Sequence, residues 1–228
     1  MTPEKVELGR RLFYDRALSG NGTYACASCH RPELAFTDGR PRAVGSTGEL
    51  HPRSAMSLAN AAYSATLTWA DPVLTRLEEQ MLTPMFGREP VELGLAGEEE
   101  ALMRIKANPE YAPGFAAAFP GDSRPVTLLN VRRAIASFER TLVSGDAPYD
   151  RLVYRGEPAL SEPALRGMRL FFSDRLKCSR CHGGFTFSGP VAFVGLEPLA
   201  PTFHNTGLYN LGGGGLYPAD NSGVFEHT

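Results

Sequence analysis

Cys26-Ala27-Ser28-Cys29-His30 and Cys178-Ser179-Arg180-Cys181-His182 decide how the rest of this chain reads. The two stretches hold all four cysteines of the 228-residue sequence. In a secreted chain four cysteines could form a disulfide framework, but each pair here is followed at once by a histidine, which such a framework does not need. Two thiols one helical turn apart reach the two vinyl groups on one edge of a porphyrin, and the adjacent imidazole swings under the iron as proximal ligand. Zinc is the main competitor, yet its thiolate pairs normally lie closer in sequence and carry no trailing histidines. The spacing therefore implies two covalently bound haem c groups, attached at Cys26, Cys29, Cys178 and Cys181, with His30 and His182 as axial iron ligands. Attachment of haem c takes place outside the cytoplasm, so the expected location is the periplasm.

Working outward, Gly9-Arg-Arg-Leu-Phe13 precedes the first motif and Gly167-Met-Arg-Leu-Phe171 the second, a weak internal repeat that implies two similar modules. Each opens on a helix with apolar residues at helical spacing: Val6, Leu12 and Phe13 in one, Leu165, Met168, Phe171 and Phe172 in the other. Between the motifs the pattern predicts helices over 55–63, 72–82, 98–108 and 126–143. No segment alternates with period two over β-branched residues, and proline or glycine marks nearly every junction. The expected fold is mostly α: two cytochrome c-like haem domains with long loops and little β-structure. Interruptions over 145–160 set the domains at 1–150 and 151–228. Two long Gly- and Pro-rich stretches, 39–52 and 188–215, read as ordered loops, and Phe193, Phe203, Tyr209 and Tyr217 suit packing on a flat porphyrin.

Composition removes other classes. A net charge of -2 offers no field for nucleic acid, and no run of 18 apolar residues is present to span a bilayer. Met1 runs straight into an amphipathic segment without the layout of a signal peptide, so the chain reads as a mature form.

The inter-motif segment is long for a simple electron carrier, and it holds the single tryptophan, Trp69, and an acidic residue, Glu92, in an apolar, proline-marked stretch. Taken by itself Glu92 reads as a surface carboxylate, and Trp69 as a buried indole that packs and also conducts. The motifs Leu8-Gly-Arg-Arg-Leu-Phe-Tyr-Asp, Leu18-Ser-Gly-Asn-Gly-Thr, Cys26-Ala-Ser-Cys-His-Arg-Pro, Ala35-Phe-Thr-Asp-Gly and Leu58-Ala-Asn-Ala-Ala-Tyr resemble the di-haem cytochrome c peroxidase and MauG superfamily over nearly the whole chain. The resemblance implies an N-terminal haem that meets hydrogen peroxide, a C-terminal haem that relays an electron, and a tryptophan between them. Trp69 and Glu92 fall at the positions of that tryptophan and of the distal carboxylate, so both are expected to be catalytic.

Departures from the family pattern refine the expectation. Ordinary bacterial cytochrome c peroxidases carry a histidine after the first motif that blocks the N-terminal iron; here Ser46 stands in that register, and His51 lies five residues on, beside Pro52. A MauG-like, five-coordinate N-terminal iron is implied, with His51 as a distal ligand the lesser alternative. The peptide 68–90 is most similar to the MbnH branch, whose members are associated with copper-handling MbnP-like partners and oxidise a partner tryptophan to kynurenine. Ser54 occupies the place of an asparagine that helps to hold a bridging calcium ion, which weakens a calcium site without removing it. The family continues past the equivalent of Thr228 to the second axial ligand of the C-terminal haem, so the second domain is expected to be truncated. His204 reads as a structural histidine of that domain.

Three functions are therefore expected in order: a hydrogen peroxide-dependent oxidoreductase acting on a protein side chain; a cytochrome c peroxidase that takes electrons from a small cytochrome or cupredoxin; and a non-catalytic di-haem electron carrier.

Overall fold

A computed structural model describes residues 1–189, 191–196, 203, 204, 209, 211–219 and 221–224. Among these residues nine α-helices form, and pairing between extended segments is limited to isolated bridges. The mostly α class with long loops holds. By internal contacts the chain divides into a first unit of residues 1–62, 66–142 and 207–228, and a second of 63–65 and 143–206.

In the first unit, α1 (Pro3–Tyr14) begins where the Thr2 hydroxyl accepts the Lys5 backbone N–H and Pro3 supplies a preset φ at the first helical position. Its apolar stripe, Leu8, Leu12 and Phe13, is buried. The stripe packs on α7 (Leu128–Glu139), which Thr127 caps in the same way through the Asn130 N–H. Gly9 permits the crossing: a Cβ there would lie 1.9 Å from the Ala134 carbonyl oxygen. Around this pair gather α2 (Cys26–Cys29), α3 (Leu77–Gln80), α4 (Leu82–Phe86), α5 (Glu98–Ala107) and α6 (Tyr111–Ala118). Phe115, Ile105, Val131, Ile135 and Leu95 complete the core, each contributing roughly 1.5–3 kcal/mol on burial.

Several elements depart from the sequence expectation for local reasons. Over 55–63 only a 3-10 turn at Ala61–Tyr63 forms, because Asn60 takes a left-handed φ of 62°. Over 72–82 the Asp71 carboxylate accepts the N–H groups of Val73 and Leu74, holding that end in a turn and delaying the helix to Leu77. Helix α6 was not expected, since Pro113 and Gly114 lie inside it, yet Pro113 falls in the first turn, where a backbone N–H has no helical partner to lose.

The second unit contains α8 (Pro148–Arg155) and α9 (Glu162–Phe171). By internal contacts the chain passes to the second unit at 143, and Pro148 and Gly156, which read as interruptions, are the first residue and the left-handed C-cap of α8. A single cut also cannot express the return of 207–228 to the first unit, where Arg53 Nε donates to Asn221 Oδ1 at 2.8 Å and Asn221 Nδ2 to the Tyr209 hydroxyl at 3.0 Å. No described residue of the second unit is buried.

Candidate functional site

The first motif places Cys26 and Cys29 on the single turn of α2, with His30 as its C-cap, its N–H donating to the Cys26 carbonyl at 3.0 Å. The chain then closes a small loop in which Arg31 N–H bonds Thr37 O and Phe36 N–H bonds Arg31 O. Closing it forces Ala35 and Phe36 into the left-handed region, at φ 54° and 59°, a conformation that costs on the order of 1–3 kcal/mol per residue. The return is orientation: the Phe36 carbonyl meets His30 Nδ1 at 2.9 Å. With that nitrogen donating, Nε2 keeps its lone pair, and burial lowers the pKa so that the ring stays neutral. The His30 ring lies 6.5 Å from that of Phe13.

The second motif repeats the arrangement. His182 N–H donates to the Cys178 carbonyl, Nδ1 meets the carbonyl of Phe187 at 3.2 Å, and Phe187 is again left-handed at φ 56°. The ring of Phe171, the repeat counterpart of Phe13, lies 6.4 Å from His182. Phe171, Phe172, Phe187 and Tyr149 form an aromatic cluster beside it. All four cysteines are free thiols. Paired thiols, an imidazole oriented through Nδ1, and aromatic surface around each motif are the parts a covalently bound haem requires, so the residues present fit one haem c at each motif.

Across from the first motif, residues 43–51 form a narrow hairpin: Gly45 N–H bonds Glu49 O, His51 N–H bonds Ala43 O, and Val44 bridges Leu50. The Val44 carbonyl lies 3.9 Å from Cys29 Sγ. The hairpin grips the 90–95 turn, since Ser46 N–H donates to Glu92 O at 2.7 Å and Glu49 Oε2 accepts the Val91 N–H at 2.9 Å. Gly20 N–H reaches Leu93 O from the other side at 2.8 Å. A Cβ on Gly45 would stand 1.7 Å from the Val91 oxygen, so only glycine allows this approach.

Glu92 is thereby held by its backbone, and burial with no cation beside it pushes its carboxyl up to about 7. About a third of the side chain remains open, at 36%. Its charge in turn raises the Cys29 thiol, after the larger effect of burial, which sets the carboxyl within electrostatic reach of the first motif. Ser46 turns its hydroxyl onto the Leu93 carbonyl at 3.3 Å. His51 lies beside Glu92, Nδ1 to Oε1 4.0 Å, and its buried Nε2 has no hydrogen-bond partner.

Trp69 differs from expectation: it is 51% exposed and not a core residue, with its indole N–H donating to the Ser54 carbonyl at 2.8 Å. Asp71 and Pro72 follow Trp69 after Ala70, and the chain bends over 68–70 with Thr68 at a left-handed φ of 71°, which leaves the ring near the surface. The Ser54 carbonyl thus has one partner already, and among the described residues no three His, Cys, Asp or Glu side chains converge to hold a metal ion. Of the loop aromatics, Phe193 edges Phe185 at 6.4 Å and Tyr209 faces Tyr217 at 5.7 Å, while Phe203 and His204 are exposed. Much of 197–210 lies outside the described residues.

Sequence reasoning missed the carbonyls of Phe36 and Phe187, although the Phe-Thr-Asp-Gly and Phe-Ser-Gly runs after the two motifs carry the signal. It also missed Glu139, buried in α7 with 7% of its surface exposed, whose carboxyl burial pushes up to about 8. Arg140 next to it is engaged by Glu78 through two bonds of 2.8 and 3.0 Å.

Residues 3–159 match the profile of the di-haem cytochrome c peroxidase family. Methylamine utilization protein MauG of Methylorubrum extorquens is 36% identical over 91% of this chain and 54% of its own length. Cytochrome c551 peroxidase of Pseudomonas aeruginosa is 31% identical over 85% of this chain and 54% of its own. Among solved structures, a MauG-like protein associated with microbial copper homeostasis superposes with a TM-score of 0.95 at 45% identity, covering 100% of this chain and 65% of that one. The di-haem peroxidase BthA of Burkholderia thailandensis gives 0.66 at 26% identity, covering 79% of this chain and 49% of that one. The chain spans about half the length of the curated relatives it matches.

Proposed function

Because the chain belongs to the di-haem cytochrome c peroxidase family, we propose that it works as a hydrogen peroxide-dependent oxidoreductase of the MauG and MbnH type, removing electrons from a side chain, tryptophan above all, of a partner protein. The observation that carries this reading is the pairing of Ser46 with Glu92. The position where a blocking histidine would stand holds a hydroxyl turned onto Leu93, and a carboxyl titrating near neutrality stands over the same hairpin.

When bound, the haem supplies the iron at which the peroxide O–O bond is cleaved. The protein's part is to hold and move protons. Glu92 as carboxylate takes the proton from the inner peroxide oxygen and returns it to the outer one, which leaves as water; a group with pKa near the working pH does both steps well. His30 is held to one tautomer by Phe36 and keeps its lone pair on Nε2. Two electrons and two protons complete the reduction to water, and the partner side chain supplies the electrons. Trp69, exposed and fixed by its indole N–H, serves as a relay for them. The 45% identity to a copper-homeostasis protein supports a copper-handling, MbnP-like partner, and haem c chemistry supports the periplasm. No described helix is long and apolar enough to cross a membrane. Calcium at Ser54 fits this reading only through backbone carbonyls and water.

Mixing resting ferric protein with one equivalent of peroxide and no reductant tests the proposal: a Soret change within the first second is expected, followed by oxidation of tryptophan on the partner seen by mass spectrometry. The second reading, a cytochrome c peroxidase, is favoured by His51 beside Glu92 with a free buried Nε2. It requires that nothing happens until a small cytochrome or cupredoxin delivers an electron.

A further inference from the structure

His51 is a buried imidazole that the scheme above leaves idle. It closes the hairpin opposite Ala43, its side chain is 14% exposed, and its Nδ1 edge faces both the Glu92 carboxyl and the Val91 carbonyl. The same hairpin already grips the Glu92 backbone through Ser46 and Glu49, so one loop fixes both the main chain and the side-chain surroundings of that carboxyl. We propose that His51 is the positioning residue of Glu92, a neutral imidazole that holds the carboxyl in register with the first motif and gives its proton a polar neighbour.

Four observations support this. Among the described residues no cation and no hydrogen-bond partner meets the Glu92 carboxylate, so the ring 4.0 Å away is its polar company. A spacing of 4.0 Å is too long for a direct bond and suits contact through one water or a small side-chain adjustment as peroxide binds. The ring itself is kept neutral by burial, with Glu49 and Arg42 facing it from its own hairpin, Asp38 from the preceding loop, and Val91 and Glu92 from the 90–95 turn. The Arg42 side chain bonds the His51 carbonyl, which anchors the residue at its backbone.

The inference rests on the role given to Glu92, and cyanide binding to the ferric holoprotein separates the two. Hydrogen cyanide must leave its proton in the pocket when it binds, so its association rate against pH reports the carboxyl without any turnover. In the wild type one inflection near neutrality is expected. His51→Leu should move it upward by about one pH unit and slow association at pH 7 by about fivefold, because the carboxylate loses its polar neighbour. His51→Gln, which keeps a donor of similar reach but cannot titrate, should restore both. A wild-type profile in His51→Leu overturns the proposal. So does conversion of the resting EPR signal from low-spin to high-spin, which would make His51 an iron ligand. If His51→Leu does not fold, a folded His51→Gln that has lost both rate and inflection overturns it as well. Glu92→Gln should abolish the inflection; its persistence there would refute the role of Glu92 itself.

Discussion

Glu92 and Glu139 are both carboxyls raised by burial, one at the hairpin over the first motif and one inside α7. They carry different predictions. Glu92→Gln should slow the reaction with peroxide by about 10²-fold or more, measured by stopped flow, while the melting temperature changes little, since the side chain is only partly buried. Glu139 acts on stability. Its folded pKa, about 8, lies above the unfolded value, so the native state binds the extra proton and stability falls as pH rises between the ordinary carboxylate range and 8. Urea unfolding at pH 6 and pH 9 should show the wild type weaker at pH 9, and Glu139→Gln should remove on the order of 1–3 kcal/mol of that difference. At this scale the haem-attaching residues were legible because their spacing is chemistry in itself. Glu92 was legible only through resemblance, and Glu139 not at all, since a glutamate in an amphipathic helix gives no sign of which face it occupies. Trp69 was misjudged in burial because a lone aromatic in a proline-rich stretch has no periodicity to place it.

Among elements, two glycines separate the site from the scaffold. Gly45→Ala would drive a Cβ into the Val91 oxygen and push the hairpin off the 90–95 turn. The expected outcome is a loss of about 1–3 kcal/mol together with a peroxide reaction slowed as in Glu92→Gln. Gly9→Ala collides with Ala134 in the α1–α7 crossing and should cost a similar amount, but the protein that remains folded should react with peroxide at the normal rate. Comparing the two by denaturant titration and stopped flow distinguishes positioning of Glu92 from general destabilisation. Helices with a periodic stripe, α1, α5, α7 and α9, all but α5 with a side-chain N-cap, were readable from the sequence to within a few residues. Helices α6 and α8 were not, because proline and glycine have opposite meanings at a helix end and in its middle, and only tertiary packing decides which applies.

On the scale of the whole molecule, the two units share a motif but not a core. Every fully buried apolar side chain among the described residues lies between Leu8 and Phe138, and the second unit buries none. On the proposed reading, the aromatic surface around His182 would pack on the porphyrin. Replacing Cys178 and Cys181 with serine should collapse amide-exchange protection across 143–206 and leave 1–142 protected, as measured by hydrogen–deuterium exchange mass spectrometry. The fold class and the existence of two modules were legible in the repeat and its cysteines. The chain's return of 207–228 to the first unit was not, because it depends on Asn221, a single buried polar residue that no pattern marks.

That no described residue of the second unit is buried bears on how readily it is cut. A backbone whose described side chains all stay at least partly open is the readier target for a protease, so limited proteolysis should cut this chain within 143–206 before it cuts within 66–142.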